Sequence, residues 1–73
     1  MIEVGSFWEY REGIRRSSMT DKVIRVADVL EGTVFYDYPR FGRGTGQALP
    51  LVGFEKIFKQ MNKNEVIKWK LKR

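Results

Sequence analysis

Residues 22–38 constrain the fold more than any other stretch. Residues 22–30 (KVIRVADVL) and 33–38 (TVFYDY) are rich in β-branched and aromatic side chains, and they flank Glu31 and Gly32. Two such runs around a two-residue break ending in Gly read as a tight β-hairpin. Ile24, Val26 and Leu30 fall on one face of the first arm, although Asp28 interrupts the pattern. Val34, Tyr36 and Tyr38 share one face of the second arm, which favours core for one tyrosine and partial exposure for the other. A lone hairpin is barely stable in water, so the rest of the chain must cover its apolar face.

That cover has to come from side-chain packing. The chain has 73 residues, with no Cys and no His. A chain this short buries only about 60% of the surface its unfolded form exposes, and disulfides cannot compensate. Ordinary zinc, copper, haem and iron–sulfur sites are excluded for want of ligands, and no run resembles a calcium loop. No cofactor is expected. The two Trp, three Tyr and five Phe can supply large contact area to a small core. No apolar run approaches the roughly 20 residues of a membrane helix, and the N-terminus lacks the pattern of a signal peptide. A single cytoplasmic domain over residues 1–73, away from membranes, is the expectation.

Further strands are expected on either side of the hairpin. Residues 4–11 read as a strand with Trp8 and Tyr10 on one side, Phe7 and Glu9 on the other, and Trp8 in the core. Residues 12–21 are polar and Gly-containing, a surface loop. After Tyr38, Pro39 withholds a ladder donor, and the Gly-rich residues 39–47 read as a mobile loop. Residues 48–52 suit a short strand or extended bridge, with Pro50 arguing for an edge. Phe54, Ile57, Phe58 and Met61 recur at i, i+3, i+4 and i+7, which predicts a short helix near residues 53–61 with an apolar core face. In residues 65–73, Ile67, Trp69 and Leu71 alternate with Lys68, Lys70 and Lys72. Period two predicts a half-buried final strand with an outward row of lysines.

The fold class is therefore mainly β: a small barrel or strongly bent antiparallel sheet of four or five strands with one short helix. The chain resembles SH3-like barrel domains, including small uncharacterised families found in bacteria and their phages. The resemblance rests on Gly5, Phe7 and Trp8 at the first strand, and on Val23, Ile24, Val26, Val34 and Tyr36 in the hairpin. The Gly-rich loop and Pro50, Leu51, Phe54 and Phe58 at the helical turn complete it. It covers residues 4–60 and implies a module that binds nucleic acid, Pro-rich or modified peptides, or other proteins.

Charge narrows that range. The net charge is +5, and all of the excess lies in residues 51–73, whose cations are Lys apart from Arg73. In a meander the loop carrying Arg15 and Arg16 and the loop carrying Arg40, Phe41 and Arg43 emerge at one end of the sheet. Guanidinium groups around an aromatic ring are how small barrels grip nucleic acid. Lys68, Lys70 and Lys72 form a second candidate surface, because alternate strand positions lie about 6.6–6.8 Å apart. The competing reading is that each Arg pairs locally with Glu12, Asp21 or Asp37. Catalysis lacks the usual base and thiol, so no enzyme is expected; Ser17, Ser18 and Thr20 read as turn residues. The glycines at 42–46 lack the ending of a phosphate loop. A nucleic-acid-binding module is the expected function, with docking on an acidic protein partner as the alternative. The chain is expected to be a monomer or a weak homodimer through its C-terminal strand.

Overall fold

The computed structural model describes residues 2–14, 22–40 and 42–72. Five strands, β1 (Phe7–Tyr10), β2 (Val23–Leu30), β3 (Thr33–Tyr38), β4 (Gly42–Pro50) and β5 (Phe58–Gln60), are joined by helices α1 (Phe54–Ile57) and α2 (Lys63–Leu71). The strands form one antiparallel sheet in the order β4-β3-β2-β1-β5.

The central hairpin closes as its turn chemistry requires. Leu30 pairs with Thr33, and Glu31 and Gly32 both have positive φ, 48° and 75°. Two positive φ values define the turn whose twist matches that of the flanking strands. The interruption at Asp28 has a structural cause. Val26 opposes Tyr36 and Asp28 opposes Phe35, so Ala27 is an extra residue, a β-bulge. A bulge shifts the alternation by one. Val29, not Leu30, then turns inward to the core cluster, while Leu30 is 56% exposed. Asp28 is left at the surface, where its carboxylate accepts from the Val29 amide.

One face of the sheet carries the core. Trp8, Ile24, Val26, Val34, Tyr36, Tyr38, Phe54 and Phe58 form it. Trp8 is the expected anchor, and both tyrosines are buried, not one. The rings meet edge-on or tilted, with Trp8–Phe54 centroids 5.1 Å apart and Tyr36–Phe58 centroids 5.3 Å apart. Such geometry is favoured by the aromatic quadrupole. Of the expected stripe, Met61 is buried beside Phe7 on the other face of the sheet, because strand alternation after Phe58 turns it away from the core. Phe54, Ile57 and Phe58 pack in the core, by two devices. Gly53, with φ 94°, admits a single turn of helix, and the chain is extended again from Phe58. The helix expected over 53–61 therefore spans only Phe54–Ile57. The remainder pairs with β1, Trp8 opposite Gln60 and Tyr10 opposite Phe58.

Two further expectations are corrected. The Gly-rich segment is not a loop, because β4 begins at Gly42 and pairs with β3. Its register slips strongly: Gln47 and Gly42 oppose Tyr36 and Tyr38, so three more residues lie on β4 than on β3 there. The tail is a helix, not a strand. Asn62 caps α2 by accepting from the Glu65 amide at 2.8 Å, and Glu65 accepts from the Asn62 amide at 3.0 Å. This reciprocal capping box starts a helix at the position read as a stop. The free edge of β1 is also already taken by β5, so no closing site remains there for a sixth strand. A homodimer through a C-terminal strand falls with that strand.

Helix α2 lies on the face of the sheet opposite the core. Trp69 packs on Phe7, with ring centroids 5.7 Å apart, and the Lys70 ammonium stands 5.4 Å from the Phe7 centroid. Val23, on the same face, is buried. Ile67 and Leu71, expected inside, are 46% and 79% exposed, because helical spacing points them away from Trp69. Beyond the helix, Arg25 of β2 pairs with Asp37 of β3 at 3.0 Å.

Candidate functional site

Docking of α2 creates a cleft of about 290 Å³ between the helix and the loop end of the sheet. Its apolar lining is Val23, Met61 and Trp69. Val23 comes from the start of β2, Met61 follows β5, and Trp69 projects from α2. Four cations line the same cleft: Lys22, Arg40, Lys68 and Lys72. Lys68 and Lys72 are four apart, neighbours on one helical face. Lys22 follows the segment that carries Arg15 and Arg16, Arg40 belongs to the other Arg-bearing segment, and both line this cleft. Two carboxylates, Glu9 and Glu65, join them, leaving cations in excess.

A second groove adjoins the first and shares Glu9 and Lys22 with it, adding Arg11 and Lys59 among its lining residues. Lys22 and Glu9 lie 3.9 Å apart and form the partition. At that separation, with Lys22 half exposed, the pair contributes little to stability. Glu12 also lines this groove. Arg11 is held by donating from Nε to the Glu55 carbonyl at 2.8 Å. Tyr10 lines the groove too and ties it to the core, its hydroxyl 2.9 Å from that of Tyr38. Beneath them, burial and then repulsion from Tyr10 push the Tyr36 hydroxyl from 10.0 up to about 12. Tyr36 is therefore a neutral structural group at physiological pH.

The sequence-predicted residues divide into three groups. Arg40, Lys68 and Lys72 line the cleft. Lys70 does not; it covers Phe7 on another side of the helix, because strand alternation and helical spacing distribute residues 68, 70 and 72 differently. Arg15, Arg16 and Phe41 lie outside the described residues, as does the side chain of Arg43, whose backbone belongs to β4. The local pairing considered for Asp37 exists, but its partner is Arg25, which sequence reading had not nominated. Glu9, Lys22 and the apolar floor were missed as cleft residues. The signal that would have found part of the site is Asn62-x-x-Glu65, which announces a helix and with it the Lys68–Lys72 pair.

No family model, no curated protein and no solved structure matches the chain. Among the described residues there is no group of three or more acidic side chains placed to hold a metal ion, and no helix is long and apolar enough to cross a membrane.

Proposed function

We propose that this chain is a non-enzymatic module that binds nucleic acid along the cleft between α2 and the loop end of the sheet. The observation that carries the reading is the meeting of Lys22, Arg40, Lys68 and Lys72, from three separate segments, around an apolar floor. A cation cluster over such a floor suits a ligand that is anionic along its backbone and flat and apolar between the charges. The adjoining groove with Arg11 and Lys59 extends the cationic track. The sheet order, with a short helix before the last strand, supports an SH3-like barrel as the scaffold, a kind of fold that hosts many binding functions and chooses none by itself.

The test is a fluorescence anisotropy titration of labelled DNA and RNA at several salt concentrations, comparing the parent with Lys68→Ala/Lys72→Ala. Each lost phosphate contact should lower the slope of log affinity against log salt by about 0.7–0.9. The double variant should therefore lose about 1.4–1.8. Lys63→Ala, on the same helix but outside the cleft lining, should change it less. An unchanged slope in the double variant removes the cleft from the binding surface. Absence of nucleic-acid binding, with an acidic protein retained in its place, would favour the alternative partner class.

A further inference from the structure

Building on the nucleic-acid reading of the cleft, we infer that its ligand is a single strand, with an unpaired base seated on the apolar floor and Glu9 selecting bases that offer an amino group. A surface built for duplex backbone needs cations and little else, because the base faces of a duplex are stacked out of reach. This cleft has more than cations. Val23, Met61 and Trp69 line it as an apolar floor between the charges, Val23 and Met61 almost fully buried and Trp69 more open. A flat, unstacked base fits such a floor, and single-strand binders gain affinity from contact with base faces.

The carboxylates are the second observation. Placed among phosphate-binding cations, a carboxylate opposes the ligand's backbone unless it has a partner of its own on the ligand. Glu65 already uses Oε1 to cap α2. Glu9 is placed differently. Its backbone is fixed between Val23 of β2 and Lys59 of β5, so the side chain stands on a rigid strand at the partition of the two grooves. Among the described residues its ion-pair partner is Lys22, 3.9 Å away, longer than a hydrogen bond. Its side chain is 22% exposed, open enough for a ligand to reach. An ionised carboxylate is acceptor-only, with about four lone-pair sites. It can accept from the amino group of cytosine, whereas thymine and uracil present a carbonyl at the same position. Glu9 then favours one pyrimidine over another of equal size and equal backbone charge.

The experiment compares oligo-dC with oligo-dT of equal length, and oligo-rC with oligo-rU, by anisotropy at one fixed salt concentration. A mixed-sequence duplex of that length is included. The parent should bind the cytosine strands about ten- to a hundredfold more tightly than the thymine or uracil strands, the size of one hydrogen bond to a charged group. It should bind the duplex more weakly than either. Glu9→Gln keeps the shape, removes the negative charge and adds a donor. It should bind both pyrimidine strands at least as tightly as the parent does while losing most of the discrimination. Circular dichroism of the variant confirms that the sheet is intact. Equal binding of the two pyrimidines by the parent, undiminished discrimination in Glu9→Gln, or duplex binding as tight as single-strand binding would each overturn the inference while leaving the nucleic-acid reading in place. Displacement of every strand by polyglutamate, regardless of base, would overturn it in favour of an acidic protein segment. Failure to bind any strand at low salt would remove the nucleic-acid reading itself.

Discussion

Alkaline unfolding should isolate the contribution of one side chain. Tyr36 is 6% exposed. Its ring is packed against Tyr38, Phe54 and Phe58 at centroid distances of 6.1, 6.2 and 5.3 Å. Burial, with repulsion from Tyr10, raises its pKa from 10.0 to about 12. Below the lower value both folded and unfolded chains keep the proton, and no stability is lost. Between the two values the unfolded chain releases the proton while the folded chain retains it, so stability falls as pH rises. Above the folded value the whole difference is lost. Two pKa units correspond to about 2–3 kcal/mol, against a total for small proteins of roughly 5–15 kcal/mol. The assay is urea unfolding of the parent and Tyr36→Phe from neutral pH to about pH 12. The lysines are common to both proteins, so the difference between the two curves reports Tyr36 together with its coupling to Tyr10 and Tyr38. At neutral pH the variant should be less stable by about 1 kcal/mol through lost hydroxyl hydrogen bonding. The gap should close and then reverse as the pH rises. A gap that stays constant, or three tyrosinate absorbance steps near the ordinary value while the fold persists, would refute the reasoning.

Two further outcomes test the packing. Phe54→Ala removes a fully buried ring in contact with Trp8, Tyr36 and Phe58, and it should cost about 3–5 kcal/mol in chemical denaturation. Asn62→Ala breaks the capping box of α2 and should cost about 1 kcal/mol. Amide exchange should speed up in α2 more than in the sheet, and nucleic-acid affinity should fall because Lys68 and Lys72 ride on that helix.

The elements legible in the sequence are those specified by near neighbours. The Glu31-Gly32 hairpin needs two residues with positive φ between two β-rich arms, and all of that is contiguous. Trp8 faces the core because a short strand offers only two faces and one must be buried. The inward placement of Phe54 and Phe58 was readable, although its backbone was not, since one helical turn followed by a strand can bury both rings as a continuous helix would. Met61, three residues on, is turned by that strand to the face that α2 covers. The bulge at Ala27 left a trace in the misplaced Asp28, but only pairing with β3 could say where the extra residue lies.

The tail shows the limit most clearly. Residues 67–72 alternate apolar and basic, and period two suits a strand. The same residues suit a helix whose cap is written in Asn62 and Glu65. Charge, apolar content and the local turn signals were determined by the chain alone: a cationic last third, a β-rich centre and a core supplied by aromatic rings. Which lysines share a surface was decided by the tertiary structure. Lys22, Arg40, Lys68 and Lys72 are brought into one cleft only when β5 occupies the edge of β1 and α2 lies across Phe7. The physical reason is that alternation specifies which side chains can be buried together, whereas the partner that buries them depends on which edges and faces the remaining elements have already filled.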